Sequence, residues 1–306
     1  MPQRRKPSPF LGCQFGKSPK GASATVFAAR HGTPYRGIDN KVHAGAGDAF
    51  RRALAADAEW LPHWDFDFDG PLLSNPDFTA VDLGNLNTSP RDGRGNRRKI
   101  EAMTRRILAG GSVPIMFGGD DSVPIPFIQA FSGGPPVMIL QIDAHIDWRD
   151  ERYGEKQGFS STMRRASECD HVWRIVQVGA RGMGSAREAE VDSAREWGSH
   201  LFTARHVLKH GVEEVLQHVE PGSLCIISLD LDVLDSSVMP AVAYPSPGGL
   251  GFHHLVDLIA GVAAKAKIAG FAMVEFVPKR DPAGTAAFTA ARIAAHVLGH
   301  LCRAKA

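Results

Sequence analysis

Features that mark membrane, secreted and disulfide-rich proteins are missing from this sequence. No stretch approaches the roughly 18 uninterrupted apolar residues of a membrane span. The basic residues Arg4, Arg5 and Lys6 have no apolar run behind them, which argues against a signal peptide. The four cysteines are widely scattered and lack the paired spacing of zinc or redox sites. We therefore expect a cytoplasmic protein with no membrane partner, no disulfides and no thiolate metal site.

An excess of charge of one sign is also missing. The 306-residue chain has a formal net charge of +2 at pH 7. A basic loop containing Arg91, Arg94, Arg97 and Arg98 is most simply a solvated surface, because nucleic-acid-binding proteins usually carry a larger basic footprint. We therefore expect no nucleic-acid partner.

Short apolar strands alternate with helical segments along the chain, without a break in composition or an internal repeat. Strands are predicted at 24–29, 78–84, 113–117, 136–140, 174–179, 223–228 and 269–274, and helices at 46–56, 97–109, 185–197, 205–218, 252–266 and 284–303. This alternation predicts an α/β fold with a mostly parallel sheet. Residues 1–22 are rich in Pro, Gly, Lys and Arg, so we expect a flexible N-terminal arm before a single domain at 23–306.

Three side chains capable of binding a metal follow the apolar run at 136–140. Asp143, His145 and Asp147 occupy alternate positions, and alternate side chains of extended chain point to the same side. This geometry suits a cation. Taken alone, the stretch also fits two solvated loop carboxylates and a hydrogen-bonded histidine.

A second acidic cluster follows the strand at 223–228. Asp230 and Asp232 again alternate, and Asp120 and Asp121 follow a third strand. In α/β folds the carboxyl ends of parallel strands meet at one edge of the sheet, where ligands bind. So many carboxylates close together repel one another unless cations lie between them. The pattern therefore predicts a site for more than one metal ion.

With both clusters in view, the sequence resembles the ureohydrolase family of arginases, agmatinases and guanidinobutyrases. The resemblance extends from the first strand to the last helix. The motifs that carry it are FGGDDS at 117–122, DAHID at 143–147, SLDLDVLD at 228–235 and EFVP at 275–278, and the PGGL at 247–250 is more like agmatinases than arginases. The resemblance implies a three-layer α/β/α arginase-like fold.

The resemblance also implies a ligand set for two divalent ions, which we expect to be manganese, with nickel as a second possibility. One ion would be bound by Asp121, Asp143, Asp147 and Asp230, and the other by Asp143, His145, Asp230 and Asp232. Oxygen-rich ligand sets of this kind suit manganese.

The implied reaction is hydrolysis of a guanidino compound to urea and an amine. A hydroxide shared by the two ions would attack the guanidinium carbon. Asp147 would orient this hydroxide, and Glu275 would pair with the guanidinium nitrogens, as planar carboxylates do.

Two motifs depart from the family pattern. Asp121 stands where the family has a metal-binding histidine, and we expect it to retain metal binding. Phe159 and Ser160 stand where a His-Gly pair supplies a proton-shuttling histidine. His31 is a candidate substitute or substrate-binding residue, although a structural histidine is the simpler interpretation. Phe159 suggests a pocket for a substrate less polar than arginine.

These departures leave several hypotheses open. The leading one is an amidinohydrolase acting on agmatine, a guanidinoalkanoate or a substituted guanidine such as a biguanide. The alternative is a catalytically impaired subunit that assembles with an active paralogue. Hydrolysis of a formimidoyl group is a related third chemistry. By resemblance, the chain should form a homo-oligomer, a trimer or hexamer.

Overall fold

Helices and strands alternate through the structure, a computed structural model that describes residues 8–184 and 186–304. The strands are β1 (Gln14–Phe15), β2 (Ala24–Ala28), β3 (Trp64–Asp65), β4 (Gly70–Pro71), β5 (Ala80–Asn85), β6 (Val113–Phe117), β7 (Val137–Ile142), β8 (Val172–Ala180), β9 (His200–Thr203), β10 (Leu224–Asp230) and β11 (Lys267–Val274). The helices are α1 (Ala46–Ala53), α2 (Gly93–Ala109), α3 (Pro124–Gln129), α4 (Thr162–Ser167), α5 (Glu188–Trp197), α6 (Ala204–His210), α7 (Glu213–Gln217), α8 (Phe252–Lys265) and α9 (Thr285–Ala304).

Nine of these strands form one sheet in the order β1-β5-β2-β6-β11-β10-β7-β8-β9. Every pairing within it is parallel, and β3 and β4 form a separate antiparallel hairpin. One apolar cluster packs α1, α6, α7, α8 and α9 on one face, and a second packs α2, α3, α4 and α5 on the other. The predicted three-layer α/β/α fold is confirmed.

Strand β7 shows why the central strands are uniformly apolar. Met138, Leu140 and Ile142 enter one core cluster, whereas Val137 and Ile139 enter the other. Because successive side chains point to opposite faces, a strand covered on both sides needs apolar residues at its odd and its even positions. This requirement makes the polar Gln141 in the same strand an exception.

Each predicted strand is present close to its expected bounds, but some helices differ. The predicted helix at 205–218 is two helices, since Gly211 takes a φ of +79° and ends the first of them. Helices α3 and α4 and strand β9 were not predicted. They are four to six residues long and too short to show a period.

Part of the predicted N-terminal arm, residues 1–22, packs on the sheet. Positions 1–7 lie outside the described residues. Phe10 is fully buried, its ring lies 4.9 Å from that of Phe117, and its backbone N–H donates to Asp82 at 2.9 Å. Strand β1 then pairs with β5. Residues 10–15 are thus held in place, because burial of Phe10 and strand pairing outweigh the turn-forming composition.

Among the helices of the described residues, none combines the length and apolar character needed to cross a membrane.

Candidate metal centre

Four adjacent strands at the middle of the sheet supply the acidic side chains. In the order β6-β11-β10-β7, these strands lead into Asp121, Glu275, Asp232 and Asp143 respectively. The strands are far apart in sequence, and only the strand order makes their carboxyl ends neighbours. The predicted convergence at this edge of the sheet is therefore observed.

Two overlapping groups of side chains have the spacing of a metal site. Ligand atoms of Asp143, His145 and Asp232 lie within 4.8 Å of one another, and so do those of Asp121, Asp143 and Asp230. Asp143 belongs to both groups, as a residue that bridges two ions would. Each group contains three of the four ligands that the resemblance implies for one ion.

Electrostatics at the cluster favour a cation. Burial raises the pKa of Asp121, Asp147 and Asp230 well above its ordinary value, and neighbouring carboxylates raise it further. Burial lowers the pKa of His145, but Asp143 and Asp232, at 3.4 and 3.2 Å from its Nδ1, raise it to about 12. Without a metal the cluster therefore favours the binding of protons, which divalent ions would displace.

Asp121, the main departure from the family pattern, still points into the cluster. Its Oδ2 atom is buried and has no hydrogen-bond partner. Its backbone N–H donates to Glu275 at 2.9 Å, and its carbonyl accepts from Thr162. A buried carboxylate oxygen without a donor is costly unless a cation contacts it. The donor set at this position therefore fits a metal ion.

A buried chain of amides supports the cluster from behind. The Nε2 atom of Gln141 donates to Asp143 at 2.9 Å and to Asp147 at 2.8 Å. The Oε1 atom of Gln141 accepts from Gln177, whose own Oε1 accepts from Ser199 at 2.9 Å. This support was missed in the sequence. The sequence could have revealed it, because Gln141 and Gln177 each interrupt a mainly apolar buried strand.

Replacement of this glutamine should weaken metal binding. We expect Gln141→Leu to lower the affinity for manganese by about 10- to 100-fold, the usual cost of losing a residue that orients metal ligands. Titration of the metal-free protein with manganese measures the effect. Gln217→Leu, which changes an exposed glutamine, is the control and should bind as the unchanged protein does. Equal affinity in both variants would show that Gln141 does not orient the ligands.

Glu275 is held in a strained and hydrogen-bonded position. Its φ is +69° and that of Asp147 is +44°, a region that non-glycine residues rarely adopt and that occurs at functional sites. The Oε2 atom of Glu275 lies 3.4 Å from Nε2 of the buried His43. Nothing in the sequence marked His43 as a residue of the site. Burial and then Asp232 raise the pKa of Glu275 to about 8.

A cavity of about 640 Å³ opens above the cluster. The predicted site residues that line it are Asp121, His145, Asp147, Asp230, Asp232, Glu275 and Phe159, whereas the buried Asp143 does not. Ser160 also lines the cavity, so both positions that stand where the family has its His-Gly pair face the cavity. His31 does not line the cavity. Its Nδ1 atom instead lies 3.0 Å from the hydroxyl of Thr88.

The fold and the cluster define an α/β protein with a candidate two-ion centre at the carboxyl edge of its sheet. Residues 32–299 match the model of the Arginase family. The chain belongs to the arginase family, and the predicted resemblance is confirmed.

Individual relatives agree with this membership. The chain is 33% identical over 207 residues to the N(1)-aminopropylagmatine ureohydrolase of Thermus thermophilus, covering 67% of this chain and 68% of that protein. It is 31% identical over 218 residues to the guanidinopropionase of Pseudomonas aeruginosa, covering 69% and 67%.

Solved structures show the same fold. Proclavaminate amidino hydrolase from Streptomyces clavuligerus superposes with a TM-score of 0.81 at 24% identity, over 99% of this chain and 100% of that one. The agmatine ureohydrolase of Thermoplasma volcanium superposes with a TM-score of 0.76 at 26% identity, over 92% and 91%.

Proposed function

We propose that this protein hydrolyses a guanidino compound to urea and an amine at a centre of two divalent ions, manganese by preference and nickel as the second possibility. The observation that carries this proposal is the pair of overlapping ligand groups that share Asp143. The names of the relatives, which include a ureohydrolase of an agmatine derivative and a guanidinopropionase, support the same chemistry.

Residues of this chain would bind and orient the reactants. When bound, such ions supply hydroxide near neutral pH by lowering the pKa of water. Glu275 would pair with the guanidinium, and Asp121 and His43 hold its two carboxylate oxygens in place. Asp147 lines the same cavity and would accept a hydrogen bond from the attacking water.

Phe159 and Ser160 give this pocket no general acid at the position of the family's histidine. Positioned acids and bases contribute about 100- to 10,000-fold to rate. The leaving amine would therefore take its proton from solvent in the cavity. Phe159 places an apolar ring on the wall and would contact the carbon chain of the substrate.

The test is urea release across a panel of substrates. The protein is loaded with manganese or nickel and assayed with agmatine, 3-guanidinopropionate, 4-guanidinobutyrate, arginine, a biguanide and a formimidoyl compound. We expect urea from at least one guanidino compound and none after the metal is removed with a chelator. Two bound ions per chain without product from any compound would contradict the proposal.

A second candidate function rests on Asp121 and on the lack of a histidine at Phe159. Here the chain would be an impaired subunit of a hetero-oligomer that also contains an active paralogue. The first function is compatible with a homo-oligomer, a trimer or hexamer. Metal analysis separates the two. Fewer than about one tightly bound ion per chain, with urea released only when a paralogue is added, would support the impaired subunit.

A further inference from the structure

The cavity above the cluster is lined by charged side chains of both signs. Every acidic residue that lines it belongs to the floor, where the candidate metal ligands and Glu275 lie. The remaining charged lining residues are His145, which belongs to the candidate centre, and the four arginines Arg149, Arg152, Arg181 and Arg280. A ligand that fills this cavity therefore meets both the acidic floor and guanidinium groups.

Three of these arginines are already bonded to the protein. Arg181 donates to the carbonyls of 232, 233, 234 and 246. Arg280 donates to those of 242 and 243, and Arg149 donates to the carbonyl of Gly184 and lies 3.8 Å from Glu190. These contacts tie each of the three guanidinium groups to the loops around the cavity.

Arg152 is different. Within residues 8–184 and 186–304, its guanidinium has neither a carboxylate nor a hydrogen-bond partner and lies against aromatic rings. Its central carbon lies 5.4, 5.2 and 5.8 Å from the ring centroids of Tyr35, Tyr153 and Phe159. Aromatic faces attract a cation without neutralising its charge. The planar donors of Arg152 thus remain available for a planar anion.

The backbone also fixes Arg152 in place. Arg152 and Glu155 exchange two backbone hydrogen bonds of 3.0 and 3.1 Å around a two-residue turn. The turn residues Tyr153 and Gly154 have φ values of +55° and +78°, the left-handed conformations of a tight hairpin turn. The arginine is therefore presented from a short hairpin rather than from a long open loop.

We propose that Arg152 binds the carboxylate of a guanidino acid whose guanidinium lies on the acidic floor. This inference rests on the proposed function and narrows its substrate class. A doubly cationic compound such as agmatine would place an ammonium group beside the arginines, and like charges disfavour such a complex. Arg152 is thus a specificity-determining residue.

Direct binding tests the proposal. Calorimetric titration of the manganese-loaded protein with 4-guanidinobutyrate and with agmatine compares two ligands of similar length and opposite terminal charge. We expect the acid to bind more tightly. Arg152→Gln should reduce the ratio of the two affinities by about 10- to 100-fold, and Arg152→Lys, which keeps the charge but not the planar fork, by less.

Arg94→Gln, which removes an exposed arginine outside the cavity lining, is the matched control and should leave the ratio unchanged. Equal binding of the two ligands, or an unchanged ratio in Arg152→Gln with an unaltered melting temperature, would overturn the proposal. Because this readout is binding, a protein that releases no urea but still selects the acid through Arg152 would contradict the proposed function and not this inference.

Discussion

Asp143→Asn is expected to lose both metal ions and, with them, urea release, because the ions supply the hydroxide for the reaction. The reason is geometric. Asp143 belongs to both candidate ligand groups, whereas the other four members each belong to one. Asparagine keeps the shape of the side chain and removes the charge that two ions would share.

Metal content by atomic absorption and the rise in melting temperature on adding manganese measure this effect. The control is Asp170→Asn, which changes an exposed aspartate and should retain both ions. If Asp143→Asn kept two ions per chain, a bridging role for Asp143 would be excluded. The melting-temperature readout applies even if the protein proves to be an impaired subunit, since ligand binding stabilises the folded state.

Arg51→Leu is expected to lower the free energy of unfolding by about 3–5 kcal/mol, because it leaves a buried carboxylate without its cation. Arg51 donates to both oxygens of Asp82, at 2.7 and 2.8 Å, and the side chains are 4% and 0% exposed. Asp82 also accepts the backbone N–H groups of Phe10 and Gly84. The ion pair thus joins α1, β5 and the N-terminal segment.

Urea-induced unfolding of the metal-free protein measures this loss without a contribution from the metal centre. Arg105→Leu removes a surface ion pair with Glu101, where both side chains are at least 36% exposed, and should cost no more than about 1 kcal/mol. A similar small loss in both variants would mean that Asp82 is not held as a charged group. The two variants therefore compare a buried and an exposed ion pair in one protein.

The candidate metal ligands were predictable because they depend on local rules. Asp143, His145 and Asp147 follow a buried strand at alternate positions, and so do Asp230 and Asp232. Both the burial of a strand and the alternation of its side chains are visible in a few neighbouring residues. The candidate roles of Phe159 and Asp121 also came from the sequence, through the family motifs. That all these residues bind metal or substrate stays a prediction.

Other features depend on contacts between distant residues. His43 lies beside Glu275, and Gln141 is linked to Gln177 and Ser199, only because separate strands and loops meet. The same holds for residues 10–15 of the predicted arm, where the burial of Phe10 is decided by its partner Phe117. Composition alone favours a loop at such positions.

The sequence by itself determined the alternation of strands and helices, the family motifs and the acidic residues at the strand ends. The tertiary structure decided which strand ends are neighbours, which oxygen atoms lack a donor, and which arginine of the cavity has neither a carboxylate nor a hydrogen-bond partner for its guanidinium among the described residues. The physical reason is that strand periodicity acts over a few residues, whereas metal spacing and charge pairing depend on distances between atoms far apart in the chain.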